Sequence, residues 1–154
     1  MSELTLIQKL PHVHGLHGHH QVRLQADRTT LAKRRWRGIA QDGKEFGFDI
    51  DEALSDGTPF FIEGEIYYVL EQLPEEVLEI PVTSIEQAAR VAWNLGNLHF
   101  GVETRADCVR VTGDPAVLQF LTREKIAFKR VNCVFLPLSA GAHHHHDTSP
   151  HHHG

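Results

Sequence analysis

The hydropathy rhythm changes at Pro74, and that change restricts the possible folds more than any other feature of the chain. Downstream of it, Val77-Leu-Glu-Ile-Pro-Val82 reads as a strand. Thr83-Ser-Ile-Glu86 then fits a capping box, and Ile85, Ala88, Ala89 and Ala92 follow at helical spacing, predicting a helix that ends near Gly96. Gly96 or Asn97 suits the left-handed position that lets a chain turn after a helix. Residues 100–111 have room for two short strands. Asp114-Pro115 is an N-cap followed by proline at the first helical position, and Val117, Leu118 and Leu121 supply the apolar stripe of a helix closing in Arg123 and Lys125. A last strand is expected over 127–136. The order β-α-β-β-α-β from about 76 to 138 is that of a ferredoxin-like fold. A unit of that size buries only about 60% of its unfolded surface, so it is expected to pack on the first half or on a second copy.

Upstream of Pro74 the signals are short strands and turns. Trp36-Arg-Gly-Ile39 leads to Gln41-Asp42-Gly43-Lys44, where Asp-Gly is a cue for a two-residue hairpin, and Phe46, Phe48 and Ile50 then alternate onto one face. Ser55-Asp56-Gly57 and Glu63-Gly64-Glu65 mark further turns, the second between Phe60-Phe-Ile and Ile66-Tyr-Tyr-Val-Leu70. Little here suggests helix. The expected fold class is therefore α+β: an N-terminal antiparallel β domain over 1–74, a ferredoxin-like domain over 75–138, and a disordered tail over 139–154.

Composition matters at one point. Of 13 histidines in 154 residues, five (His12, His14, His17, His19, His20) crowd a glycine-containing loop near the N-terminus. Seven more (His143, His144, His145, His146, His151, His152, His153) sit among small and turn-forming residues at the end. Protonating them reverses the sign of the net charge, −5 at pH 7, on descent to about pH 5. A chain carrying −5 is a poor partner for nucleic acid or an anionic membrane. No apolar run is long enough to span a bilayer, and the N-terminus lacks the pattern of a secretory signal. Cys108 and Cys133 make neither a disulfide framework nor a paired zinc motif, and read as reduced thiols of a cytoplasmic protein.

Neutral imidazole is a ligand for nickel, zinc and copper, whereas carboxylate-rich sites suit magnesium, calcium or manganese. Histidines crowded on a flexible segment capture such ions but do not select among them, because on affinity alone Cu²⁺ outcompetes Ni²⁺ and Zn²⁺. The seven tail histidines are read as a native chelating segment, since a purification tag would commonly be six in an uninterrupted run. The five N-terminal ones are a weaker candidate of the same kind. His99 differs, being the single histidine between these clusters, inside Trp93-Asn-Leu-Gly-Asn-Leu-His99 just past a predicted helix. By itself it reads as a surface or structural residue, and only the resemblance given below makes it a metal ligand. No nucleophile, base and orienting acid stand together, and no glycine-rich phosphate loop precedes a helix, so an enzyme is not expected.

Asn94-Leu-Gly-Asn-Leu-His99 resembles the leucine-glycine-asparagine-arginine-histidine signature of the urease accessory protein E (UreE) family, nickel metallochaperones. The short-stranded first half, the element order of the second half and the histidine-rich end agree with that resemblance, which spans almost the whole chain. It implies a homodimer joined through the C-terminal domains, with His99 facing its twin across the two-fold axis. It also implies a first domain that binds peptide or protein, Ni²⁺ as the cargo with Zn²⁺ or Cu²⁺ as competitors, and transfer to apo-urease and its accessory complex, including the GTPase UreG. Two positions depart from the family. Leu98 stands where the motif has arginine, and Val111-Thr-Gly-Asp-Pro115 stands where some members carry a His-x-His pair. A histidine-rich store or detoxification buffer without specific delivery is the alternative function, and an enzyme using a metal at His99 is a distant third.

Overall fold

The computed structural model describes residues 3–138. The tail over 139–154, with its seven histidines, lies outside the described residues. The chain divides into two compact units, one running to Glu75 and taking in Asn132–Val134, the other comprising Glu76–Val131 and the residues from Phe135.

The first unit contains strands β1 (Thr5–Ile7), β2 (His20–Ala26), β3 (Arg35–Ile39), β4 (Glu45–Asp49), β5 (Pro59–Glu63) and β6 (Ile66–Gln72), with one short helix, α1 (Arg28–Leu31). They form two three-stranded sheets, ordered β1-β4-β3 and β2-β6-β5. Phe46, Phe48 and Ile50, on alternate positions, are all buried together with Leu24, Phe60, Tyr68 and Leu70. Trp36 stacks on Phe48 with ring centroids 4.0 Å apart, and Phe46 meets Phe60 edge-on at 4.9 Å.

An all-antiparallel first half, expected from its hairpins, is corrected by the structure. The hairpins β3–β4 and β5–β6 are antiparallel, but β1 runs parallel to β4 and β2 parallel to β6. Turn residues specify only the strands they join, and these parallel pairs bring together Thr5 with Phe46 and His20 with Ile66, contacts that no local signal encodes. The Asp-Gly turn also differs. Ala40 and Lys44 close a three-residue loop through the Ala40 N–H to Lys44 carbonyl bond of 2.9 Å, with Gly43 at φ +90° in the left-handed position. Helix α1, absent from the sequence reading, starts because the Asp27 carboxylate accepts the Thr30 N–H at 2.7 Å.

The chain then runs β7 (Glu75–Pro81), α2 (Ile85–Asn97), β8 (Glu103–Thr104), β9 (Cys108–Thr112), α3 (Pro115–Arg123) and β10 (Lys129–Cys133), in one sheet of order β10-β7-β9-β8 that makes up the second unit apart from Glu75 and the end of β10. Leu78 and Ile80 of β7 and Val109 and Val111 of β9 share a buried cluster with Val91 and Leu95 of α2 and Val117, Phe120 and Leu121 of α3. Helix α3 begins as its Asp-Pro start requires, with the Asp114 carboxylate accepting the Ala116 N–H at 2.8 Å. The capping box of α2 lies one residue later than expected. Ser84 accepts the Gln87 N–H at 3.1 Å, and the Gln87 side chain returns to the Thr83 N–H at 2.9 Å.

Candidate metal centre

The end of α2 sets the candidate site. Leu98 is the C-cap, and the next residue, His99, takes the left-handed conformation itself at φ 67°. Its N–H donates to the Gly96 carbonyl at 2.9 Å, and the Phe100 N–H donates to the Leu95 carbonyl at 3.1 Å, the paired bonds of a Schellman ending. Phe100 rests partly buried on the cluster that holds Leu95. The expectation that Gly96 or Asn97 would turn the chain is thus corrected, since both stay within the helix. Histidine is among the few non-glycine residues that visit this region with any frequency. The imidazole is exposed and makes no hydrogen bond or ion pair with the described residues, so both ring nitrogens are open to a ligand.

Around it α2 exposes an apolar face. Ile85, Ala89, Trp93 and Gly96 follow at spacings of four, four and three, and so share one side of the helix. Ile85 is 91% exposed, Trp93 67%, and Leu98 lies exposed beside His99. A Cβ added at Gly96 would meet nothing within 4 Å, so close approach from outside is open there. The opposite side of the helix, through Val91 and Leu95, is the one buried in the core. The motif reading of the sequence passed over this face, although a tryptophan eight residues beyond an isoleucine on a predicted helix was its available signal.

The chain beyond β10 returns to the same neighbourhood. Phe135 is buried, the Leu136 N–H donates to Glu103 Oε1 at 2.8 Å, and the Leu138 N–H donates to the Val102 carbonyl at 2.8 Å. Glu103 is a buried carboxylate, 6% exposed, whose other oxygen is held by Arg105 and Arg110 at 3.1 and 3.0 Å. Burial pushes its pKa up, but the Leu136 N–H and the two guanidiniums outweigh that and hold it below the ordinary carboxylate value. Arg110 also bonds Glu79 at 3.0 Å, and Lys129 bonds Glu79 at 3.2 Å.

The other expected ligands are placed less favourably. His12, His14 and His17 lie exposed on the segment joining β1 to β2, His19 is half-buried, and His20 opens β2 with its N–H on the Glu65 carbonyl at 2.8 Å. Among the described residues no three histidine, cysteine, aspartate or glutamate side chains converge as a metal would need. His143–His146 and His151–His153 are outside the described residues. Cys108 is buried and Cys133 half-buried, and no disulfide joins them.

A family model for the C-terminal domain of the UreE urease accessory protein matches residues 75–154, from the first residue of β7 onward. The urease accessory protein UreE of Bacillus sp. (strain TB-90) is 30% identical over 130 residues, covering 83% of this chain and 82% of the relative. The protein of the same name from Bacillus cereus is 30% identical over 118 residues, 75% of this chain and 78% of its own. The chain belongs to the UreE family of urease accessory proteins. A part in urease maturation follows, as an accessory protein rather than an enzyme. The match includes α2, His99 and the returning segment after β10. No helix among the described residues is long and apolar enough to cross a membrane.

Proposed function

We propose that this UreE family member is a nickel metallochaperone, which carries Ni²⁺ to apo-urease during assembly of the urease active site. The observation that carries the proposal is the exposed, unpartnered His99 imidazole at the Schellman turn of α2, beside an apolar helix face. One imidazole is too few ligands for a tight site. A second copy docked through the α2 face would bring two His99 rings to one ion across the two-fold axis, so neither protomer needs a preformed cage. Borderline nitrogen donors suit Ni²⁺, with Zn²⁺ and Cu²⁺ as competitors. Tail histidines His143–His146 and His151–His153 would complete the coordination and release it again, as a carrier requires and a closed structural zinc site does not. His12, His14, His17, His19 and His20 would add secondary capacity.

This reading takes the second unit as the ferredoxin-like metal-binding and dimerisation domain over 75–138. The β10-β7-β9-β8 order and the two helices packed on one buried cluster support it. The first, over 1–74, would be the module that binds peptide or protein. The delivery partners would be the GTPase UreG and the apo-urease accessory complex, in the cytoplasm, where the two cysteines would stay reduced.

Nickel titration by calorimetry tests this, on the full chain, on His99→Ala and on a chain ending at Ala142, with the molecular mass followed throughout. His99→Ala is expected to abolish the tightest nickel constant while the fold survives. The shortened chain is expected to lose ions without losing most of its power to activate urease. Loss of capacity in simple proportion to the histidines removed, with no special place for His99, would instead identify a storage buffer.

A further inference from the structure

The connection from β1 to His20, the first residue of β2, holds five histidines, and its path sorts them. Leu10 packs on the core of the first unit, and Pro11, Val13 and Leu16 are half-buried, while His12, His14 and His17 between them are exposed. The alternation puts His12 and His14 on the same outer side. Being two residues apart, they have Cα atoms separated by at most about 7 Å. The chain then bends twice. Gly15 takes φ +69°, and Gly18 takes φ +85° in the turn that the His19 N–H closes on the Leu16 carbonyl at 3.2 Å. A Cβ at either glycine would meet nothing within 4 Å, so these residues serve the bending of the backbone and not its packing. His19 is half-buried, and its Nδ1 is buried with no hydrogen-bond partner among the described residues, so that ring is turned toward the protein.

From this we infer that His12, His14 and His17 form a second metal site, which takes one borderline divalent ion (Ni²⁺, Zn²⁺ or Cu²⁺) per chain within the first unit. As they stand the three rings do not converge on a point. At most about 11 Å separates the Cα atoms of His14 and His17, and the bend at Gly15, free of neighbours, is where an ion draws His17 in. Three neutral imidazoles suit these ions and leave the remaining positions to water, an open geometry that binds without caging. Both ends of the connection are fixed, since Ile7 pairs with Phe48 and His20 with Ile66. Much of the ordering that three imidazoles on a free chain would undergo on binding is therefore done by the fold, which raises their affinity. The inference deepens the reading of the N-terminal histidines as added capacity. It is independent of His99 and of any dimer, because one chain supplies all three ligands.

The test is calorimetric titration with nickel alone of a full-length chain that carries His99→Ala and serine at the seven tail histidines. One ion per chain should still bind. In that background His12→Ala, His14→Ala and His17→Ala, all at exposed positions, should each weaken the constant by about ten-fold or more, since even the loss of a group that only orients a ligand costs about that much. His20→Ala, exposed and close by in the sequence, should change it little. Gly15→Val keeps every imidazole but resists the left-handed bend, and should weaken the constant as well. Equal losses in all four histidine variants, or an unaltered constant in Gly15→Val, would mean a crowd of imidazoles without geometry and would overturn the site. So would a background chain that binds no nickel. None of these results bears on the His99 reading, which stands or falls with the tightest constant of the natural chain and its loss in His99→Ala alone.

Discussion

At the scale of single residues, the second unit ends both of its helices in the same way. His99 follows α2 at φ 67°, and Lys125 follows α3 at φ 55°, its N–H on the Thr122 carbonyl and that of Ile126 on the Leu121 carbonyl. Positive φ is therefore a property of these turns, and Lys125 is the internal control for what it costs. An L-residue gives up about 1–2 kcal/mol there, and glycine's extra chain entropy returns about 0.5–1 of it. His99→Gly and Lys125→Gly are each expected to stabilise the unit by about 0.5–1 kcal/mol in urea unfolding. Only the former should lose the tight nickel site. A tight site that persisted in His99→Gly would remove His99 from the metal centre. The sequence offered Gly96 and Asn97 three and two residues earlier, both better suited to the left-handed turn. Which residue takes that position depends on where the helix stops, and Phe100 settles this by packing on the core beneath Leu95.

At the scale of elements, the sequence was most informative where the chain signals to itself. Asp114-Pro115 started α3 as read, and the cap of α2 was misplaced by only one residue because Thr83/Glu86 and Ser84/Gln87 satisfy the same pattern. Ser84→Ala is expected to cost about 1 kcal/mol, measurable in urea, while Thr83→Ala, which removes only a hydroxyl bond to Gln87, should cost less. The parallel partners of β1 and β2 were not legible, since they lie tens of residues away in the chain and pairing at that distance is decided by which faces must be buried. The charge network of the sheet was equally hidden, because nothing in Glu79, Glu103 and Arg110 as letters says that they share a sheet. Arg110 beside Glu79 holds that carboxyl below its ordinary value, and Glu103 is lowered as well. Each pair thus contributes stability that is complete above the unfolded carboxylate value, about 4.3, and is lost as the pH falls through the lower folded value. Glu103→Gln should accordingly be less stable than the natural chain at pH 7, with the gap narrowing toward about pH 3. A gap of unchanged size would assign the loss to packing and not to charge.

At the scale of the whole molecule, the proposed metal centre and the proposed dimer would depend on one another. His99 supplies one imidazole per chain, and among the described residues it belongs to no group of three side chains that could hold a metal ion. If the partner ligand comes from another copy through the α2 face, a change in that face must weaken nickel binding without touching a ligand. Trp93 is the place to make it, because it is two-thirds exposed and its loss leaves the core of Val91 and Leu95 in place. Trp93→Asp should remove an aromatic anchor and put a charge where the faces meet, costing about 2–4 kcal/mol of association, or roughly a 30- to 1,000-fold weaker dimer. Sedimentation should then show a monomer at concentrations where the natural chain is expected to sediment as a dimer, with unchanged circular dichroism. Nickel should lose its tightest constant although His99 is present. Linkage gives the converse: an ion held by both copies stabilises the dimer by RT ln(1 + [Ni²⁺]/Kd), so nickel at high protein concentration should partly restore dimerisation of the variant. Restored dimer accompanied by restored tight binding would tie the two together. A monomer that binds as tightly as the natural chain would mean that one tail can assemble the whole coordination sphere, which is the behaviour of a store and not of a carrier built on a two-fold axis.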